Sequence, residues 1–251
     1  MSLPHYYSHL GPFEGIFLTG LPILTYHHVG PRPRGARLKG LYVSPRLFEK
    51  QVLELKSASF QTTGLETLPA QRNELRRISL TFDDGFRDVF EHALPVLTRN
   101  GFQAILYLVS GRIGGTNEWQ QRAGDVAEPL MDEAQVRDWL AAGQHIGSHT
   151  VTHPWLTRIS TEAAREEIAA SRKVLQDCFG VAVEHFCYPY GDWNERVRDL
   201  VTEAGYQTAC TTKTGINSAG QSPFELQRFT ARYPSRNLKA ILRRIRDVCG
   251  F

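Results

Sequence analysis

Ile78-Ser79-Leu80-Thr81-Phe82-Asp83-Asp84-Gly85 is the stretch that decides the fold. Its first five residues read as a buried strand, and two carboxylates follow at the C-terminal end, where α/β barrels carry their active sites. Consecutive side chains on a regular strand point to opposite faces, so Asp83 and Asp84 share one site only if the backbone bends there, and Gly85 permits a bend. Taken alone, the segment fits an Asx-type turn with two solvated carboxylates equally well.

The outward neighbours change that balance. About sixty-five residues further on stands His149-Thr150-Val151-Thr152-His153. Two imidazoles and a carboxylate suit a borderline divalent ion such as zinc, and three protein ligands leave a position for water or substrate. Spacing of four places both rings on one face of a helical turn, although Pro154 pushes His153 toward extended geometry. Zincin helices carry a Glu between their histidines as general base, and here Thr150, Val151 and Thr152 cannot serve. The base must come from elsewhere. Asp83 is the economical choice, with Asp84, His149 and His153 on the metal.

Further out, short apolar runs alternate with segments of helical period, the pattern of βα units around a mostly parallel sheet. Strands are expected at 23–26, 78–82, 104–109, 145–147, 185–188, 207–211 and 226–229. Phe48, Val52 and Leu55 mark one helix, and Val89, Phe90, Leu94 and Leu97 a second. Thr161–Phe179 is the clearest helix, with Ser160 as N-cap and Gly180 just past its end. Residues 111–129 are Gly-rich and lack period, which suggests a functional loop, a candidate substrate lip. No repeat or linker divides the chain, so residues 1–251 are expected to form a single catalytic domain.

A formal charge of +3 and a pI near 8.7 are too mild to imply a nucleic-acid partner. No Lys or Arg precedes Arg32, so a secretory leader is not expected and the chain reads as cytoplasmic. Cys178, Cys187, Cys210 and Cys249 form no CxxC pair and read as reduced core thiols. Residues 237–248 put apolar and basic side chains on opposite helical faces, a packed helix with a solvated side. Contact with an anionic membrane surface is the weaker reading. Trp119 and Trp193 read equally as packing residues or as platforms for sugar faces.

On the Thr-Phe-Asp-Asp-Gly strand and the Ser-His-Thr-x-x-His segment, the chain resembles the polysaccharide deacetylase family, the NodB-homology carbohydrate esterases of family 4. The matching motifs fall within 78–211. The resemblance implies a distorted (β/α)7-type barrel, Asp83 as base, and Asp84, His149 and His153 as metal ligands. The family's third motif, Arg-x-Pro-Tyr, appears as Cys187-Tyr188-Pro189-Tyr190. Cys187 thus stands where an arginine would brace the base, and Arg228 or Arg232 is a candidate substitute. Tyr190 matches the residue whose backbone N–H stabilises the oxyanion. No histidine follows Cys210 to supply the family's usual acid. The Tyr26-His27 segment resembles the start of a branch that deacetylates poly-N-acetylglucosamine, in which that histidine is the acid. A satisfied core histidine is the competing reading of His27, while His28 should point away from the site.

The implied activity is removal of N-acetyl groups from amino sugars of a glycan, with zinc as the expected metal and nickel, cobalt or iron able to use the same ligands. The N-acetylated glycan, or a precursor of it, is the expected partner. Two alternatives stand beside it. One is a same-fold amide hydrolase acting on a small cyclic imide or ureide, which the missing third-motif arginine keeps open. The other is a catalytically silent glycan-binding module, against which the intact Asp83, Asp84, His149 and His153 argue.

Overall fold

A computed structural model describes residues 4–65 and 76–233. Seven strands form the path of the central sheet, β1 (Ile23–Tyr26), β2 (Arg77–Phe82), β3 (Ile105–Leu108), β4 (His145–Ser148), β5 (His185–Cys187), β6 (Thr208–Cys210) and β7 (Phe229–Thr230), and an eighth, Gln61–Thr62, pairs beside the start of β2. They lie in the order β7-β1-β2-β3-β4-β5-β6, every pairing parallel. The two ends approach each other through one parallel bridge, Cys210 to Leu226. There Leu226 N–H donates to the Ala209 carbonyl at 3.0 Å and Thr211 N–H to the Leu226 carbonyl at 2.8 Å. So thin a seam is what makes this α/β barrel distorted.

Strand period sorts the core into two layers. Alternate residues of the strands, among them Ile23, Ile105, Tyr107, Cys187 and Cys210, meet in a small inner cluster. Their neighbours Leu24, Leu80, Phe82, Leu106 and Phe186 face the surrounding helices in the larger cluster. The interior positions of β2 are the hydroxyl residues Ser79 and Thr81, both buried, so polar side chains can enter the barrel from its far wall.

Helix Pro45–Ser57 begins where the Ser44 hydroxyl accepts the Leu47 N–H at 3.2 Å, and it buries Phe48, Val52 and Leu55. Helix Thr161–Phe179 has the bounds its sequence predicts, capped by Ser160 and closed by Gly180 in the left-handed conformation, φ 68°. It buries Ala164, Ile168, Leu175 and Phe179; truncating Ile168 to Ala would remove roughly 2–5 kcal/mol of packing.

Three elements differ from expectation. The second helix is a π-turn at Val89–Ala93 followed by α-helix at Leu94–Asn100. Pro95 has no N–H to return to the Glu91 carbonyl, so the hydrogen-bond ladder changes register there. The seventh strand lies at Phe229–Thr230 rather than 226–229, because Leu226 is occupied in the bridge to β6. The segment 111–129 holds a helix, Glu118–Arg122, too short to show a period. The amphipathic segment 237–248 and Cys249 lie outside the described residues. No helix among the described residues is long and apolar enough to cross a membrane.

Candidate active site

β2 delivers Asp83 to the barrel mouth while its N–H still donates to the Tyr26 carbonyl, at 2.9 Å. Its side chain turns inward to Arg228. The guanidinium grips both oxygens, Nη1 to Oδ1 at 2.7 Å and Nη2 to Oδ2 at 2.8 Å. Arg228 is itself buried, and it also donates to the Thr211 carbonyl at 3.0 Å and the Thr81 hydroxyl at 3.2 Å. Cys187 Sγ lies 3.2 Å from Nη2 and 3.7 Å from Asp83 Oδ2. Asp83 is thus braced by an arginine from the chain entering β7, one strand removed from β2 in the sheet. Arg232, the other candidate, stacks on Tyr6 at 3.9 Å. Burial alone would push the Asp83 carboxyl up, but Arg228 overcomes it and holds the group well below the usual carboxylate range.

Asp84 occupies the left-handed region, φ 75°, so the bend that brings both carboxylates to one mouth falls at Asp84 itself as well as at Gly85, φ 80°. A non-glycine residue there is strained by about 1–3 kcal/mol and persists only where its surroundings fix it. Of the five such residues described, Asp84, Thr150, His153 and Tyr190 are in this site, and only Ser59 is not. Asp84 Oδ1 lies 3.5 Å from His149 Nε2 and 3.3 Å from His153 Nε2.

No helix holds the two histidines. They sit on an irregular turn after β4, with Thr150 at φ 69° and His153 at φ 64°. Glu167, on helix Thr161–Phe179, ties the turn down by accepting the N–H groups of Val151 and Thr152, each at 2.9 Å, and the Thr152 hydroxyl at 2.6 Å. His149 Nδ1 donates to the Cys187 carbonyl at 2.6 Å, which fixes the tautomer and leaves the Nε2 lone pair facing Asp84. Burial, reinforced by the neighbouring His153, lowers the His149 pKa to about 4, so its ring is neutral through the physiological range.

This donor set fits a divalent cation. Asp84 Oδ1 is buried and accepts no hydrogen bond, an unusual state for a carboxylate oxygen unless a cation answers it. Asp84, His149 and His153 present ligand atoms within 4.8 Å of one another. Asp83, His149 and Cys187 form a second group by the same measure, but Arg228 already lies against both Asp83 and Cys187 and opposes a cation there. Burial also raises the Cys187 thiol far above its usual value, keeping it protonated.

His27 Nε2 stands 3.8 Å from Asp83 Oδ2, and the side chain keeps 21% of its surface exposed. Burial lowers its pKa, against an opposing pull from Asp83. His28 points away, its Nδ1 2.9 Å from Asp88 and its ring held between Tyr42 and Phe86. Tyr190 lies in a 3-10 turn, φ 59°, whose hydrogen bonds run from Gly191 N–H to Tyr188 and from Asp192 N–H to Pro189. Its own N–H takes part in neither. Its ring packs edge-on against His153 at 4.5 Å and face-to-face with Trp155 at 4.1 Å.

Trp119 does not offer a sugar platform: it is buried and stacks on the His153 ring at 4.7 Å. Trp193 packs on Tyr188 and under Lys213. The exposed aromatics at the mouth are instead Tyr190 and Trp155; sequence reasoning passed over Trp155, as it did Glu167 and Gln120, whose amide reaches Asp84 Oδ2 at 3.5 Å. A Trp one residue after the His-Pro pair was the available signal for the first; the other two carry none.

The sequence profile of the family described as polysaccharide deacetylase matches residues 70–209. Bacillus subtilis YxkH, an inferred polysaccharide deacetylase, is 27% identical over 213 residues, 83% of this chain and 70% of that protein. A chitooligosaccharide deacetylase of Sinorhizobium fredii is 28% identical over 148 residues, 58% of this chain and 61% of its own length. Among solved structures, BA0330 of Bacillus anthracis, also an inferred polysaccharide deacetylase, superposes with a TM-score of 0.73 at 25% identity, covering 86% of this chain and 66% of that one.

Proposed function

The chain belongs to the polysaccharide deacetylase family, and from that premise we propose that it hydrolyses N-acetyl groups of amino sugars in a glycan, releasing acetate and a free amine. The observation that carries this reading is the buried Asp84, His149 and His153 triad beside an aspartate clamped by Arg228. Asp84, His149 and His153 would hold a divalent ion; zinc is our assignment from two imidazoles and a carboxylate, and nickel, cobalt or iron accept the same donors. When bound, the ion supplies Lewis acidity toward the acetyl carbonyl and acidifies the water beside it.

The chain's own groups divide the remaining work. Asp83 removes the proton of the attacking water, its carboxylate kept ionised and aimed by Arg228. The Tyr190 N–H donates to the developing oxyanion, held for that purpose by the strained turn. His27, its Nε2 3.8 Å from Asp83 Oδ2, passes the proton that Asp83 takes from water on to the departing amine. Fixing these groups in advance spares the reaction their reorganisation.

The case for a small cyclic imide or ureide rested on the missing third-motif arginine, and Arg228 fills that place. The test is acetate release from N-acetylglucosamine oligomers by metal-analysed protein, before and after chelation and zinc restoration. We expect release that needs the metal, and Asp83→Asn protein that retains the metal while losing turnover. Stoichiometric metal with no release from any oligomer, together with turnover of a small ring, would overturn the proposal.

A further inference from the structure

Between the short strands His28–Val29 and Tyr42–Val43 runs Gly30-Pro31-Arg32-Pro33-Arg34-Gly35-Ala36-Arg37-Leu38-Lys39-Gly40-Leu41. Four cations fall within eight residues and no carboxylate falls among them. The loop curls around a cavity of about 550 Å3 lined by Arg32, Arg34, Arg37 and Lys39 with the intervening backbone. All four side chains are on exposed residues, whereas Ala36 is buried and anchors the curl. Arg32, Arg34 and Lys39 have no ion pair or hydrogen bond through their side chains among the described residues.

The loop is held in place. Pro31 and Pro33 fix their own φ and restrict the residues before them. The N–H groups of Arg37 and Leu38 both donate to the Asp125 carboxylate, at 2.9 and 3.0 Å, and Arg37 Nη1 donates to the Ala123 carbonyl at 2.9 Å. Asp125 therefore spends its charge on the loop's backbone and on Arg37, and three cations remain uncompensated.

The chain topology links this cationic cup to the candidate site through the segment that anchors it. It begins three residues after His27, on the C-terminal side of the barrel. Its anchor, the 117–126 segment, carries Trp119 on His153 and Gln120 on Asp84. A neutral N-acetylglucosamine polymer offers such a cup hydrogen-bond acceptors but no charge to answer its own. Arginine forks match phosphate geometry, and several cations around one cavity act together where a single exposed pair contributes little.

We propose that Arg32, Arg34 and Lys39 bind a phosphate carried by the glycan, so that the substrate class is an acetylated amino-sugar glycan bearing phosphate groups near the scissile acetyl. This inference rests on the deacetylase reading, but the binding itself can be measured without it.

The experiment compares a neutral N-acetylglucosamine tetramer with the same tetramer phosphorylated at a 6-hydroxyl, using wild type and the triple variant Arg32→Gln/Arg34→Gln/Lys39→Gln. Wild type should favour the phosphorylated tetramer by about tenfold or more in kcat/KM, through KM, and the preference should shrink as salt screens the cup. The triple variant should lose that preference and keep its rate on the neutral tetramer. Equilibrium dialysis of the phosphorylated tetramer gives the second readout. Binding that the triple variant loses, with no acetate release, would sustain the cup and overturn the deacetylase reading. Equal handling of both tetramers by wild type would overturn the cup. So would inorganic pyrophosphate binding as tightly as the phosphorylated tetramer, or loss confined to binding of phosphatidylglycerol vesicles, because the phosphate would then not be the glycan's.

Discussion

At the scale of single residues, the departure at Cys187 is compensated in space rather than in sequence. Arg228 reaches both Asp83 oxygens from the chain entering β7, with only β1 between β7 and β2, and Cys187 Sγ lies beside the same guanidinium. Replacing Arg228 with Met leaves Asp83 buried without its partner, and breaking such a pair costs about 3–5 kcal/mol of stability. The pH consequence has a definite sign. Burial raises the Asp83 carboxyl and Arg228 is the largest opposing influence, so removing it lifts the folded-state pKa. The acidic limb of kcat/KM should move to higher pH in Arg228→Met, with metal content unchanged. The double variant Cys187→Arg/Arg228→Ala should recover part of the lost activity, since it puts a guanidinium at the position the family resemblance implies for it. A flat pH profile in Arg228→Met, together with no recovery in the double variant, would show that Arg228 supports the fold without tuning the base.

At the scale of elements, what was legible in the sequence follows from range. Strands β1 to β6 were visible because each is a short, mostly buried run whose reading needs no distant information, and helix Thr161–Phe179 because its caps adjoin it. The pairs Asp83 with Asp84 and His149 with His153 were visible because each is a local motif. Arg228 could be offered only alongside Arg232, since its partner lies 145 residues away. Helix Glu118–Arg122 was hidden for a different reason: five residues are too few to show a period, and its value is in what it touches. Trp119 stacks on the His153 ring, and Gln120 presents its amide N–H to Asp84 Oδ2, its own carbonyl being occupied by Asn117 at 2.7 Å. That leaves Asp84 Oδ1 for the metal. Removing such an outer partner typically weakens metal affinity 10–100-fold. Gln120→Ala should therefore show a loss of about that size in competition against a calibrated chelator, with its thermal midpoint little changed. Wild-type affinity in that variant would make the contact incidental.

At the scale of the whole molecule, the site is a cost that the barrel carries in the absence of metal. Four strained residues, an unanswered carboxylate oxygen and two imidazoles packed edge to face are held at one end of a thinly seamed sheet. His149 turns that cost into a pH dependence. Its folded pKa, about 4, lies below the ordinary 6.5, so between those values the unfolded chain binds more protons than the folded one. Stability is full above pH 6.5 and falls as the pH drops through that window, by roughly 3 kcal/mol if the shift acts alone. Asp83 and Asp84, both depressed below 3.8, add further loss only at lower pH. Bound metal needs the same neutral imidazole, which the folded protein keeps down to about pH 4, so zinc should stabilise the protein at pH 7.5 and still do so at pH 4.5. Urea unfolding of metal-free protein at those two pH values, repeated with zinc, would measure both effects. His149→Asn should flatten the metal-free difference and abolish the zinc increment together. If the slope survived in that variant, the acid sensitivity would have to arise in groups outside the site.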